Sequence, residues 1–60
     1  MEYEIWIMID GFIYTRSFDN KESAEKVFDK LVASKYNNIQ SVTLEEIKNS
    51  ATTIKEYDRS

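Results

Sequence analysis

The sequence predicts an α+β domain of ββαββ order, with one helix packed on one face of a four-stranded, mainly antiparallel sheet. Two β-branched and aromatic runs meet at Asp10-Gly11. This dipeptide is a strong signal for a tight hairpin, because both central residues of a type I′ turn need positive φ. An amphipathic segment and two further strand-like runs follow. We expect one domain of residues 1–60, with strands at about 2–10, 12–18, 39–47 and 51–57 and a helix at about 20–35.

The two-residue turn also predicts how the first two strands pair. Side chains alternate along a strand, so cross-strand partners share a face. The expected pairs are Ile9–Phe12, Ile7–Tyr14, Ile5–Arg16 and Tyr3–Phe18. The inner face, toward the helix, would carry Tyr3, Ile5, Ile7, Ile9, Phe12, Tyr14 and Phe18, with Arg16 near an edge. The outer face would carry Glu4, Trp6, Met8, Ile13, Thr15 and Ser17.

The third element reads as a helix with recognisable ends. Asp19 is the predicted N-cap, and Glu22 three residues later completes a capping box. Apolar residues at helical spacing form one stripe: Ala24, Val27, Phe28, Leu31 and Val32. Asn37 and Asn38 are expected to end the helix, because asparagine tolerates the left-handed conformation.

The second half reads as a weaker hairpin. Val42 and Leu44 share a face, whereas Ile47 is out of phase, which suggests a bulge near Glu45-Glu46. Ile54 is the residue of the last strand best placed to point inward. Because the first strand is the most apolar, it belongs in the middle of the sheet, and the strand order 2-1-3-4 is preferred.

Composition excludes several classes of protein. The sequence contains no cysteine and no histidine, so disulfides and the commonest metal ligands, bases and nucleophiles are missing. No cofactor, metal or catalytic role is therefore expected. The net charge of −3 argues against binding to duplex nucleic acid, which favours basic patches. No run is long enough to cross a membrane, and the acidic start lacks the basic region of a signal peptide. A soluble cytoplasmic protein is expected.

The outer face carries the main functional hypothesis. A helix can cover only one face of the sheet, which leaves Trp6, Met8, Ile13 and Thr15 as a candidate interface. Because a 60-residue chain buries only about 60% of its unfolded surface, self-association would help it, and a homodimer is preferred. The pattern does not separate an interface with a second copy from one with a foreign protein. A secondary acidic surface is expected at Glu22, Glu25 and Asp29.

Other readings of the same residues stay open. Loops or the C-terminal tail could cover the outer face. Exposed aromatic residues on a sheet could stack on nucleic-acid bases or a nucleotide, although this sheet lacks the basic motif of such platforms. A structural or assembly component is a further alternative. The second strand, Phe12–Phe18, is also rich enough in apolar residues to pair with another chain at its edge.

The chain resembles the very short single-helix αβ proteins encoded by bacteriophages. The resemblance lies in the aromatic-rich hairpin, Ile5–Ile9 with Phe12–Phe18, and in the helix entry F-D-N-K-E-S-A-E-K-V-F that begins the segment Phe18–Leu31. It implies a host-takeover or anti-defence role, in which the protein binds and blocks a bacterial nuclease, polymerase or immune complex. It also implies action in the bacterial cytoplasm, often as an oligomer.

Overall fold

The computed structural model describes residues 2–34 and 38–58, which form the predicted ββαββ order. The elements are β1 (Glu2–Ile9), β2 (Phe12–Phe18), α1 (Lys21–Ala33), β3 (Ile39–Ile47) and β4 (Ala51–Asp58). All neighbouring strands are antiparallel, and their order is β2-β1-β3-β4. The predicted fold class and strand order are therefore confirmed. Within these described residues, no helix is both long and apolar enough to cross a membrane.

The first hairpin has the predicted turn and register. Asp10 has a φ of 52° and Gly11 a φ of 82°, which are the positive values that a type I′ turn requires. Pairing runs without interruption from Ile9 with Phe12 to Tyr3 with Phe18. Every predicted pair of this hairpin is confirmed. The division of β1 and β2 into an inner and an outer face follows directly from this register.

The helix begins one residue later than the sequence suggested. Asn20, not Asp19, is the N-cap: its Oδ1 accepts a hydrogen bond from the backbone N–H of Ser23 at 3.1 Å. The predicted capping box of Asp19 with Glu22 is therefore wrong. Asp19 and Asn20 are both suitable caps, and β2 extends to Phe18. Glu22 instead lies in the first turn, where its negative charge interacts favourably with the helix dipole.

The cap predicts a difference between two adjacent substitutions. We expect Asn20→Ala to reduce the free energy of unfolding by about 1 kcal/mol, because it removes the acceptor for an unpaired N–H group of the first turn. Asp19→Ala is the matched control and should change it by less than about 0.5 kcal/mol. Urea titration followed by far-UV circular dichroism measures both values. A larger loss of stability for Asp19→Ala than for Asn20→Ala would show that Asp19 is the N-cap.

The end of the helix also differs from the prediction. α1 ends at Ala33, and Ser34 has extended backbone with a φ of −64° and a ψ of 144°. Asn38 does not cap α1: it precedes β3, and its carbonyl accepts a hydrogen bond from the backbone N–H of Asp10 at 3.4 Å. Residue 35 and Asn37, the other parts of the predicted helix end, lie outside the described residues.

Two irregularities interrupt the strand pairing, and one lies near Glu45-Glu46, where a bulge was predicted, but its extra residue belongs to β4 and not to β3. The β3–β4 register shifts where Leu44 pairs with Lys55 and Glu45 pairs with Thr53, so the extra residue is Ile54 of β4. The β1–β3 register shifts near the other end of β3. β3 stays in regular register with β1 through Ile47, which pairs with Glu2 on the outer face. Ile47 is therefore not brought back into phase with the core.

The core lies between the inner face and α1. Its buried residues are Tyr3, Ile5, Ala24, Phe28, Ile39, Val42 and Leu44. The predicted helix stripe is confirmed, since its three other members are half-buried against this core. Ile54 also packs against it, as predicted. Phe12 and Tyr14 are exceptions to the predicted inner layer, because they remain 65% and 53% exposed.

A contact between β4 and α1 shows which face of the sheet the helix covers. The Nζ of Lys55 lies 3.3 Å from the Oδ1 of Asp29 and 5.7 Å from the centroid of the Phe28 ring. The ion pair is largely exposed, so it contributes less than about 1 kcal/mol. Lys55 pairs with the buried Leu44, which places both on the inner face beneath α1. The opposite face of the sheet carries no helix from the described residues.

Candidate interaction surface

Three large apolar side chains lie together on the outer face. Trp6 and Met8 are two residues apart on β1, so they point to the same side, and Ile13 of β2 lies directly opposite Met8. Their side chains are 40%, 36% and 58% exposed, respectively. Thr15 lies opposite Trp6 and is also exposed. The structure thus brings all four predicted interface residues together, and we call Trp6, Met8, Ile13 and Thr15 the outer patch.

Three members of the outer patch, Trp6, Met8 and Ile13, line a shallow concavity of about 360 Å³. Its other lining residues are Ile7, Ser41, Thr43 and Glu45. Apolar residues from β1 and β2 form one side, and polar residues from β3 form the other. This mixture of an apolar centre and a polar border is typical of the surfaces through which proteins bind one another.

Acidic residues border the outer patch on the same face, along β1 and on the side of β3 and β4. Glu4 of β1 lies opposite Glu45 of β3, and Glu56 of β4 lies opposite Thr43. The strand carboxylates assigned to the outer face by these registers are Glu2, Glu4, Glu45, Glu56 and Asp58. The two basic residues of the described strands, Arg16 and Lys55, are both assigned to the inner face. The outer face therefore combines an apolar centre with a negative border.

This charge separation was not predicted from the sequence, in which acidic residues are spread along the chain. Like charges directly opposite each other destabilise a sheet, so the facing carboxylates of Glu4 and Glu45 do not serve its stability. The first strand alone offered a partial signal, because Glu2 and Glu4 share a face with Trp6. The remaining acidic residues could be placed only once the pairing of β3 and β4 was known.

The structure separates the three residues of the predicted secondary acidic surface. Glu22 is exposed in the first turn of α1. Glu25 is half-buried, and its charge acts on Tyr3 of the sheet. Asp29 forms the ion pair with Lys55. Glu25 and Asp29 thus interact with groups of the sheet, whereas Glu22 is exposed on the first turn of α1.

Tyr3 joins the two central strands through a polar contact at the border of the core. Its hydroxyl donates a hydrogen bond to Oε2 of Glu46 at 3.2 Å. Burial raises the pKa of Tyr3 above its usual value, and the hydrogen bond to Glu46 and the charges of Glu46 and Glu25 raise it further. The phenol therefore stays protonated and remains a donor. This contact links β1 to β3 on the inner face of the sheet.

The surface offers noncovalent contacts. Among residues 2–34 and 38–58, no group of three or more acidic side chains is arranged to hold a metal ion. The outer patch supplies apolar area and a polarisable Met8, and its border supplies negative charge. These are the components of recognition by shape and charge complementarity.

Together these features define a small α+β domain with a helix on one side of its sheet and an acidic, apolar-centred surface on the other. No protein-family model matches the chain, and neither a curated protein nor a solved structure shows significant similarity to it.

Proposed function

We propose that this protein is a non-catalytic binding module that docks a partner protein on the outer patch. The supporting observation is that Trp6, Met8 and Ile13 form one contiguous exposed cluster on the sheet face opposite α1. Trp and Met are enriched in the cores of protein interfaces, and Trp is a frequent hot-spot residue. Isolated exposed apolar residues are ordinary on protein surfaces, whereas a contiguous cluster of this size indicates a contact site.

The acidic border indicates the chemistry of the partner. A surface that meets the outer patch would need an apolar centre flanked by Lys or Arg residues, which would neutralise the facing carboxylates of Glu4 and Glu45. The same border disfavours a nucleic acid on this face, because phosphates would meet Glu2, Glu4 and Glu45. A protein with a basic surface is therefore the proposed partner.

The resemblance to small phage proteins extends the proposal. On that basis the protein is an inhibitor, encoded by a phage or mobile element, that occupies the basic surface of a bacterial defence or host protein. Such surfaces are common on nucleases, polymerases and immune complexes, because these proteins bind phosphates. Inhibition would follow from occupancy in the host cytoplasm and would require no reaction.

The test compares two lysine substitutions on the outer face. The partner is first captured from bacterial lysate with the tagged protein and then purified, and its dissociation constant is measured. We expect Trp6→Lys to weaken binding by about 30-fold or more, because it removes the apolar anchor. Thr53→Lys adds the same charge on the same face, two strands away and opposite Glu45. It reports the electrostatic effect of the added lysine without loss of the apolar anchor, and it should weaken binding much less than Trp6→Lys. Equal effects of the two substitutions would contradict docking on the outer patch.

A second arm examines the acidic border. With Glu4→Gln and Glu45→Gln combined, the association rate with the same partner should fall, and the dependence of that rate on salt should weaken. Glu22→Gln on α1 is the matched control for loss of a carboxylate. Tighter binding after removal of Glu4 and Glu45 would contradict a basic partner, and salt-sensitive capture of oligonucleotides through Trp6 would support a nucleic-acid binder instead.

A further inference from the structure

In the sheet formed by residues 2–34 and 38–58, the second strand is an open edge that is exposed on both faces. Every residue of β2 from Phe12 to Ser17 is exposed. Its pairing with β1 is regular along the whole strand. Natural proteins protect open edges with Lys, Pro, bulges, inward-pointing charges or covering segments. β2 has no Lys, Pro or bulge, and the one feature of this kind within it is the charge of Arg16 on the inner face.

The opposite edge of the sheet is built differently. β4 contains an extra residue at Ile54, which interrupts its register with β3. It also carries Lys55, Glu56 and Asp58 within its eight residues. These features hinder the addition of another strand. The sheet therefore has one protected edge and one edge suited to pairing.

The hairpin register shows which backbone groups of β2 are available. In a hairpin closed by a two-residue turn, the pair next to the turn is hydrogen-bonded, and every second pair after it is hydrogen-bonded as well. β1 thus engages the N–H and C=O groups of Phe12, Tyr14, Arg16 and Phe18. The N–H and C=O groups that point away from β1 belong to Ile13, Thr15 and Ser17.

We propose that β2 pairs with β2 of a second copy of this chain, antiparallel and centred on Thr15, to form a homodimer with one continuous sheet. With Thr15 on the two-fold axis, Thr15 faces Thr15 of the second copy, and Ile13 faces its Ser17. These pairs use the available backbone groups, and each exchanges two N–H···O=C hydrogen bonds. All of β2, from Phe12 to Phe18, is included in the pairing.

Charge and length select this register over its neighbours. Moving the axis to Arg16 would place two guanidinium groups directly opposite each other, which is destabilising. Moving the axis to Tyr14 would leave Ser17 and Phe18 beyond the end of the second copy's strand. With the axis at Thr15, Arg16 faces the uncharged Tyr14 of the second copy, and its guanidinium keeps its place 5.7 Å from the centroid of its own Phe18 ring. β2 can therefore pair with itself in this register without opposing like charges.

The dimer also explains the exposed aromatic residues of the inner face. Phe12 and Tyr14 are more than half exposed although their register directs them to the side of α1. In the dimer, Phe12 faces Phe18 of the second copy, and aromatic cross-strand pairs stabilise a sheet. The side chains that α1 leaves uncovered would thus be covered by the second copy.

A two-fold axis perpendicular to the sheet keeps both helices on one side and both outer patches on the other. Three strand spacings of about 4.8 Å separate the two copies of β1, so the two Trp6 side chains lie on strands about 14 Å apart, and the two outer patches meet at Thr15 on the axis. The dimer would present a doubled acidic surface. Its existence is independent of whether the outer patch binds a foreign protein, since solution mass reports dimerisation without any partner.

The test introduces opposite charges at the axis. Thr15→Glu and Thr15→Lys each place like charges opposite each other, so each variant alone should have a solution mass near 7.1 kDa, against twice that value for the wild type. An equal mixture of the two variants should regain the dimer mass as a heterodimer. Thr15→Val changes the side chain without adding a charge and should remain a dimer.

Amide hydrogen exchange of the wild type provides a measurement that needs no variant. Ile13, Thr15 and Ser17 should be protected in the dimer, and their protection should fall on dilution, whereas Tyr14 and Arg16 should stay protected by β1. A monomeric wild type, unprotected amides at these positions, or a mixture of charge variants that stays monomeric would each overturn the proposal. Because Thr15 also belongs to the outer patch, Trp6→Lys distinguishes the two interfaces: Trp6 lies on β1, so this variant should remain a dimer, and loss of its dimer would overturn the proposal in favour of the outer patch.

Discussion

Leu44→Ala should remove most of the stability of the domain. Leu44 is fully buried at the centre of the sheet, between Ile5 of β1 and Lys55 of β4. Truncation of a buried leucine costs about 2–5 kcal/mol, because apolar contacts are lost and a cavity remains. A domain of this size has about 3–9 kcal/mol of total stability. The variant is thus expected to be partly unfolded at 25 °C, with a greatly lowered urea midpoint.

Leu31→Ala is the matched control for this prediction. Leu31 lies on α1 and is half-buried against the same core, so the same atoms are removed from a site that water already reaches. Alanine also favours the helix slightly. We expect a loss of less than half that of Leu44→Ala, measured by urea titration with circular dichroism. If the two losses were equal, the core would not be centred on the sheet as the structure has it.

The structure of the first hairpin could be predicted in detail because one local signal determines it. Asp10-Gly11 favours a type I′ turn, and a two-residue turn leaves a single register for the flanking strands. Alternation then assigns every side chain to a face. For this reason the positions of Trp6, Met8 and Ile13 on one surface followed from the sequence alone.

The burial of side chains on the inner face could not be predicted from the sequence in the same way. Phe12 and Tyr14 share a face with Ile5, but α1 packs mainly against β3 and β1 and leaves much of β2 uncovered. The path of a helix over a sheet depends on packing across the whole domain, and no local pattern encodes it. The sequence therefore predicts which face a side chain occupies more reliably than whether another element covers it.

The acidic border depended on an irregularity that the sequence placed in the wrong strand. Ile54 is an extra residue in β4, and beyond it Lys55 falls on the inner face while Glu56 falls on the outer face. In a β4 without this extra residue, and with the same pairing at Ala51, these two residues would exchange faces. One unpaired residue thus determines much of the charge on the proposed binding surface.

Gly11→Ala should lower the free energy of unfolding although Gly11 lies outside the core. Gly11 has a φ of 82°, and a Cβ added there would meet no atom within 4 Å. Any effect of Gly11→Ala must therefore come from the backbone itself. An L-residue in the left-handed region costs about 1–2 kcal/mol, so the free energy of unfolding should fall by that amount.

The mirror-image residue is the sharpest control. D-alanine at position 11, introduced by chemical synthesis of the chain, favours positive φ and adds the same methyl group. By restricting the unfolded chain, it should raise the stability by about 0.4–1 kcal/mol. Thermal unfolding of the two synthetic variants beside the wild type measures the opposite signs. If both alanines lowered the stability equally, a steric contact rather than the turn geometry would explain the loss, and the open surroundings of Gly11 would be wrong.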